Sequence, residues 1–133
     1  MKTYLDSGVL LSAWLGGSPR SVAARNLMAD ELRDFLSSDA VKLELLPKPA
    51  FEKRRAELDF YNDYFRNIPC EPLSAELGTE ALALAKKNGL AAVDALHLAS
   101  AIRQEADEFI TSELPGKPMF RLKELKVVSL HSL

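Results

Sequence analysis

The chain has 133 residues, of which 47% are hydrophobic and 27% are charged. This length and composition are typical of one globular domain over 1–133 that buries a core without disulfides, and they exclude a disordered or fibrous protein. The 17 basic and 19 acidic residues give a formal net charge of −2. The chain therefore has no overall cationic field, and a nucleic acid would have to be held by local basic patches or through bound cations.

Two features bear on the compartment. The single cysteine, Cys70, excludes an internal disulfide and is typical of a reducing compartment. Asp6 interrupts the first apolar run, so we expect no signal peptide, and no apolar run reaches the roughly 18 residues of a membrane span. We therefore expect a cytoplasmic protein that does not bind membranes.

The hydrophobic pattern predicts short strands that alternate with helices. Strands are expected at 3–5, 35–36, 109–111 and 126–130, with a short extended piece at 69–73. Helices are expected at 9–15, 19–28, 40–46, 51–65, 75–88 and 89–106. Ser18 and Ser74 are predicted helix N-caps, the prolines from Pro47 are predicted to stop the third helix, and Gly89 is predicted to end the fifth in a left-handed conformation.

Short strands alternating with helices predict an α/β fold with a mainly parallel sheet covered on both faces. Ligands of such sheets bind outside the carboxyl ends of the strands, near the point where the strand order reverses. Asp6 lies at the carboxyl end of the first predicted strand, and Glu113 lies just past the end of the fourth main strand. These two acids are therefore candidate site residues.

Two more acids lie in apolar helices. Asp94 is near the start of a helix that is apolar on almost every side, with no Lys or Arg within four residues. A buried, unpaired charge is costly unless a group such as a metal ion neutralises it. The alternative is that Asp94 is an N-cap. Glu44 is flanked by Val41, Leu43 and Leu45 on a short helix that we expect to be largely buried; the alternative is that Glu44 faces solvent.

Together, Asp6, Glu44, Asp94 and Glu113 are four acids in apolar settings. Clustered carboxylates repel one another and raise one another's pKa unless a cation is present. Oxygen ligands are those that Mg²⁺ and Mn²⁺ prefer, and such ions activate water and stabilise charge on a phosphodiester. The four acids therefore favour a divalent-metal site.

Four segments of the sequence resemble the four acidic motifs of PIN domains, a family that includes the VapC-like toxins of bacterial toxin–antitoxin pairs. They are YLDS at 4–7, VKLEL at 41–45, VDALHLA at 93–99 and FITSE at 109–113. The resemblance covers essentially the whole chain and implies a small three-layer α/β/α fold. It also implies a ribonuclease that depends on Mg²⁺ or Mn²⁺ and hydrolyses single-stranded or looped RNA.

The resemblance assigns roles to the acids and implies partners. Asp6, Glu44 and Asp94 would be catalytic residues and the core metal ligands, and Glu113 would complete the catalytic metal site. A small antitoxin protein would bind in the groove that leads to the acids. The domain would form a homodimer through its apolar helices.

Two positions depart from the family pattern and keep an alternative open. Gly8 stands where the family commonly has Ser or Asn, and Glu113 stands where many members have Asp. These departures favour a catalytically inactive PIN-like module that binds RNA or a protein, whereas the other three acids favour the enzyme. A receiver-like phosphoacceptor domain would need an Asp at the end of the third strand, where Leu73 stands.

Four further residues are candidates for the edge of the site. Ser7 is expected either to bond a metal ligand or the scissile phosphate, or to cap the following helix. Thr111 is a candidate for the same work, although Thr is also common at strand ends. Lys48 and Lys117 are candidate phosphate contacts. His97 is interpreted as a structural residue rather than as a general base.

Overall fold

The computed structural model describes residues 1–133 and contains five strands and seven α-helices. The strands are β1 (Lys2–Leu5), β2 (Asp34–Ser38), β3 (Cys70–Glu71), β4 (Glu108–Thr111) and β5 (Lys126–Ser129). The helices are α1 (Ser7–Leu15), α2 (Pro19–Met28), α3 (Asp39–Leu45), α4 (Pro47–Phe51), α5 (Arg55–Phe65), α6 (Ala75–Asn88) and α7 (Ala92–Arg103). Two single 3-10 turns lie at Pro118–Arg121 and Leu130–Ser132.

The five strands form one parallel sheet in the order β3-β2-β1-β4-β5. Tyr4 of β1 lies opposite Leu36 of β2 on one side and Phe109 of β4 on the other. Because the chain first moves outward from β1 to β3 and then returns to β4, the strand order reverses between β1 and β4. The predicted α/β fold is confirmed, and the mainly parallel sheet is in fact parallel throughout.

The core lies where the central strands meet the helices. Tyr4, Leu5, Phe109 and Ile110 are completely buried, and the rings of Tyr4 and Phe109 stack with centroids 5.3 Å apart. Helices cover both faces of the sheet, so neighbouring residues of β1 and β4 are apolar and buried on opposite faces. No helix is long and apolar enough to cross a bilayer.

The predicted caps are confirmed where side chains or glycine determine the helix ends. Ser18 Oγ accepts a hydrogen bond from the Ser21 amide, and Ser74 Oγ accepts one from the Leu77 amide, each at 3.1 Å. Gly89 has a φ of 66° at the end of α6. These contacts are local in sequence, which is why the pattern of residues predicts them.

The predicted helix over 51–65 is wrong in its first turn. The third helix ends before Pro47 as predicted, but Pro47 also begins the unpredicted helix α4, because a proline has no amide hydrogen to lose in a first turn. The chain then leaves the helix at Lys53, which has a φ of 56°, and α5 begins at Arg55. Phe51, expected among the apolar positions of the longer helix, is 89% exposed.

Helix α7 is shorter than the predicted 89–106. It ends at Arg103, and Glu105 follows with a φ of 57° that redirects the chain. At its start the N-cap is Ala91, and Asp94 is the third residue of the helix. The interpretation of Asp94 as an N-cap is therefore wrong.

Candidate active site

Asp6 lies where β1 ends and α1 begins, at the reversal of strand order. Its Oδ1 accepts a hydrogen bond from the Ser7 amide at 2.8 Å, and its Oδ2 accepts one from Thr111 Oγ1 at 2.9 Å. The side chain is buried, and no Lys or Arg pairs with it. Asp6 is thus the N-cap of α1, not Ser7, and its negative charge is held rigidly between β1 and β4 without a cationic partner.

Glu44 approaches the same place from α3. Its Oε1 accepts a hydrogen bond from Ser7 Oγ at 2.8 Å and lies 2.6 Å from His97 Nε2. The expectation that α3 is largely buried is only partly correct, since Leu43 is 65% exposed and Glu44 is also partly exposed. The Glu44 carboxylate nevertheless points into the site, because Ser7 and His97 hold it there.

His97 connects Glu44 to the interior of the sheet. Its ring is buried, and Nδ1 lies 3.0 Å from the Tyr4 hydroxyl, which lies 2.6 Å from Ser38 Oγ. The hydrogen bond to His97 is the largest influence on the pKa of Glu44; with the weaker bond from Ser7 it outweighs burial and lowers that pKa. This polar chain therefore keeps Glu44 ionised and oriented.

Asp94 is half-buried and forms no hydrogen bond or ion pair within the chain. Burial is the largest influence that raises the pKa of its carboxyl, and the negative charges of Asp6 and Glu113 raise that pKa further. His97 and Lys117 lower that pKa by less than burial and the two carboxylates raise it, so the like charges around Asp94 are only partly compensated. A bound cation would remove this repulsion.

Glu113 lies in the loop after β4. Its amide donates to Thr111 Oγ1 at 3.2 Å, so Thr111 bonds both this loop and Asp6. Its carboxylate is partly exposed, with Oε2 3.8 Å from the ammonium of Lys117. Lys48 lies on α4 in a groove that Glu44 also lines.

One tight group stands out among these side chains. Asp6, Glu44 and His97 each offer a ligand atom, and these atoms lie within 4.8 Å of one another. Asp94 and Glu113 lie outside this group, but the negative charges of Asp6 and Glu113 both act on the carboxyl of Asp94. Sequence reasoning did not place His97 against Glu44; its spacing of three residues from Asp94, which puts both on one side of α7, was the available signal.

The loop after β4 explains why position 8 is a glycine rather than the Ser or Asn that is common in the family. A Cβ built on Gly8 would lie 2.0 Å from Ser112 Oγ and 3.1 Å from Ser112 Cβ. The Ser112 side chain thus occupies the space that a side chain at position 8 would need. The hydroxyl that position 8 lacks is replaced, at the same place, by one from the neighbouring strand end.

The donor set fits a hard divalent cation. Asp6, Glu44 and Asp94 supply carboxylate oxygens, and no Lys or Arg lies within ion-pair distance of any of them. Mg²⁺ and Mn²⁺ prefer such oxygen ligands. The two ring nitrogens of His97 already face Tyr4 and Glu44, so His97 is better suited to orient a ligand than to be one.

Two solved structures share this fold. A chain of a toxin–antitoxin complex from Klebsiella pneumoniae superposes with a TM-score of 0.75 at 17% identity, over 96% of this chain and 97% of that one. A chain of VapBC2 from Rickettsia felis, bound to a DNA fragment from its promoter, superposes with a TM-score of 0.71 at 17% identity, over 97% of this chain and 98% of that one. At this identity the likeness establishes a common fold.

Sequence comparison identifies the family. No curated protein sequence matches the chain significantly. The family model for the PIN domain matches residues 3–113, a range that contains all four candidate acids. Since that match covers most of the chain and the fold agrees, the protein belongs to the PIN domain family.

Proposed function

We propose that this protein is a metal-dependent endoribonuclease that hydrolyses RNA phosphodiester bonds, and that it is the toxin of a toxin–antitoxin pair. One observation carries the proposal: carboxylates from β1, α3 and α7 face the reversal of strand order, and none of them forms an ion pair with a Lys or Arg. Uncompensated acids at a ligand-binding edge are typical of a functional site rather than a stabilising one.

In this proposal Asp6, Glu44 and Asp94 hold the Mg²⁺ or Mn²⁺, and Glu113 completes the site with its longer side chain. The ion supplies Lewis-acid activation of water and stabilises the negative charge that develops on the phosphodiester. The negative charges of Asp6, Glu44 and Asp94 would attract a divalent cation, and the pKa of Asp94, raised first by burial and then by the charges of Asp6 and Glu113, is consistent with such a site.

The remaining polar residues position the ligands. Thr111 and the Ser7 amide each bond one oxygen of Asp6, which fixes the plane of that carboxylate. His97 and the Ser7 hydroxyl both bond Oε1 of Glu44. Partners of this kind orient ligands, and their loss typically costs 10–100-fold in metal affinity or activity.

Lys48 and Lys117 are proposed to contact phosphates on the two sides of the acids. Lys48 lines a groove of about 300 Å³ together with Glu44, and Lys117 lies beside Glu113. Because the net charge of the chain is −2, such local cations have to provide the attraction for RNA.

An antitoxin is proposed to bind in the groove next to Glu44. The groove continues over Leu11 and Leu15, which are exposed on α1. A groove with an apolar floor fits the apolar face of a partner helix. The two solved complexes of similar fold support such a partner, and co-purification of the product of a neighbouring gene tests it.

A homodimer through α6 and α7 is proposed as well. These helices expose Leu82 and Val93, and an apolar cavity of about 380 Å³ lies between them. Exposed apolar patches of this kind mark interaction surfaces. A monomer in light scattering at high concentration would contradict the dimer.

Cleavage of an RNA that contains both paired and unpaired regions tests the function. We expect cleavage by the purified protein with Mn²⁺ or Mg²⁺, and none with EDTA or in Asp94→Asn. The control is Asp107→Asn, which alters a carboxylate at the opposite edge of the sheet, where it accepts a hydrogen bond from the Lys2 amide at 2.8 Å.

Two results would contradict the proposal. Full activity of folded Asp94→Asn would exclude the acidic metal site as the catalytic centre. No cleavage by the folded protein under any condition would favour the inactive module that binds RNA or a protein.

A further inference from the structure

The surface formed by α4 and the beginning of α5 carries an aromatic side chain among cations. Phe51 is the last residue of α4 and is 89% exposed, the largest exposed fraction among the exposed large apolar residues. Lys48, Lys53 and Arg55 surround it in sequence and are also exposed. We call these four residues the α4–α5 surface.

The cations of this surface are poorly neutralised. Lys48 and Lys53 form no ion pair within the chain, and Arg55 lies 3.9 Å from Asp59, with both side chains exposed. An exposed pair of this kind is worth little. The neighbouring Arg54 differs, since Glu52 and Glu57 bind it at 3.0 and 3.1 Å. The α4–α5 surface therefore presents positive charge to solvent.

The α4–α5 surface is continuous with the proposed active site. Glu44, Lys48 and Pro49 line the groove of about 300 Å³ beside the acids. Pro49 also lines a second cavity, of about 520 Å³, with Lys53 and Arg55. Phe51 follows Lys48 by three residues, so both lie on one side of α4. Phe51 lines neither cavity; it stands one turn beyond Lys48 on the solvent-exposed side of α4, next to the groove that Lys48 shares with Glu44.

Aromatic side chains within cationic grooves are the usual means of holding unpaired nucleic acid. Bases stack on the ring, and the cations contact the backbone. A partner helix would instead need a row of apolar residues at helical spacing, and the α4–α5 surface offers one apolar residue among three cations. The charge of this surface thus favours RNA over a protein.

We propose that the α4–α5 surface is a subsite for single-stranded RNA, in which a base beside the cleavage point stacks on Phe51 and Lys48 and Lys53 contact phosphates. The subsite rests on the proposed function, because it assumes that RNA is the substrate. It adds a specific base-stacking contact to that function, and this contact requires unpaired RNA because a base inside a duplex does not expose its face to Phe51.

Binding of a short, unpaired, fluorescein-labelled RNA tests the subsite. The full chain carries Asp94→Asn so that the RNA stays intact, and anisotropy with Mg²⁺ present gives the Kd. We expect Phe51→Ala to raise the Kd by about 5- to 150-fold, the loss of one stacked base. Phe51→Trp should retain affinity, whereas Phe51→Leu, which keeps an apolar group without an aromatic face, should not.

The cations have a separate signature. Lys48→Gln and Lys53→Asn should each lower the slope of log K against log salt by about 0.7, the value for one phosphate contact on a single strand. Asn is chosen at position 53 because it tolerates the φ of 56° there. Phe51→Ala should leave that slope unchanged.

Two matched controls lie at the opposite edge of the sheet. Leu32→Ala removes an apolar side chain that is 84% exposed before β2, and Lys126→Gln removes an exposed cation at the start of β5. Neither should change the Kd. A perfectly paired duplex of the same sequence should bind Phe51→Ala as it binds the parent protein.

The outcomes separate the subsite from the nuclease. An unchanged Kd in Phe51→Ala, with RNA still cleaved by the wild-type chain, would overturn the subsite alone. No binding and no cleavage by the folded wild-type chain would overturn both. If Phe51→Ala kept its RNA affinity but lost a co-purified protein, the surface would be a protein-docking site and the subsite would be wrong.

Discussion

An acid is buried at each end of the sheet: Glu108 at the amino ends of the strands (the amino edge) and Asp6 at their carboxyl ends (the carboxyl edge). Only one of the two is paired with a cation. At the amino edge, Glu108 of β4 accepts hydrogen bonds from Thr3 Oγ1 at 2.6 Å and from Arg33 Nε at 2.8 Å. At the carboxyl edge, Asp6 receives hydrogen bonds from Ser7 and Thr111 but has no Lys or Arg partner. The first acid is neutralised within the fold, and the second is not.

The directions of the pKa shifts follow the same contrast. The hydrogen bond to Glu108 is the largest influence that raises the pKa of Arg33, so each charge stabilises the other. At the carboxyl edge, burial first and then the charges of Asp6 and Glu113 raise the pKa of Asp94, so like charges there oppose one another. The contrast between one neutralised acid and a cluster of acids without Lys or Arg partners at Asp6, Glu44 and Asp94 supports the proposal that a ligand binds at the carboxyl edge.

The largest expected effect is on the cleavage rate, and it appears when the buried acid of each edge is replaced by its amide. Asp6→Asn should lower cleavage by more than about 100-fold, beyond the loss of an orienting partner, while the protein stays folded. Glu108→Gln should leave cleavage per folded molecule unchanged but lower the unfolding free energy by about 2 kcal/mol, because Arg33 loses one of its two carboxylate partners and keeps only Asp30. The loss is smaller than for a fully buried pair because Arg33 is partly exposed.

Cleavage rates and denaturant melts of both variants check this prediction, with the rate expressed per folded molecule. A folded Asp6→Asn protein with wild-type cleavage would remove the distinction between the edges. So would a Glu108→Gln protein that kept its stability and lost its activity.

A smaller effect concerns the packing of the carboxyl edge. Gly8→Ala should destabilise the protein by about 1 kcal/mol, because its Cβ would overlap the Ser112 side chain. In a Ser112→Gly background, Gly8→Ala should instead raise the free energy of unfolding by about 0.5–1 kcal/mol, because Ala is more favourable than Gly within a helix. A double-mutant cycle from denaturant melts measures the change of sign, and additive effects would refute the contact.

The smallest effect is on the stability of the metal-free protein. Asp94 has a raised pKa in the fold, so its contribution to stability is fully present below the ordinary value of 3.8 and is lost as the pH rises through the raised value. In EDTA at neutral pH, Asp94→Asn should therefore have a higher Tm than the wild type. The corresponding gain in the free energy of unfolding should stay below about 1 kcal/mol, because Asp94 is half-exposed.

Addition of Mn²⁺ should reverse that order, since binding to the folded state raises the Tm of the wild type and Asp94→Asn lacks a ligand. Thermal melts with EDTA and with Mn²⁺, at acidic and neutral pH, give the comparison. A Tm of the wild type that does not respond to Mn²⁺ would exclude Asp94 from a metal site.

Much of the fold was predictable because its signals are local. The alternation of apolar runs and caps predicts the parallel α/β sheet, and the position of a residue after a strand predicts the edge on which it lies. Asp6 and Glu113 were assigned to the carboxyl edge on that basis, and the structure places them there. Phe51 was misassigned because the same local signals continue a helix through Lys53, where the backbone turns into the left-handed region.

What the sequence alone determined is thus the architecture, the edge that holds the acids, and their negative charge. Tertiary structure alone decided which groups touch: His97 meets Glu44 across 53 positions, and Ser112 fills the space beside Gly8. Such contacts depend on how the helices pack against the sheet. Local propensity carries no information about them, because side chains distant in sequence meet only when burial of the core brings their elements together.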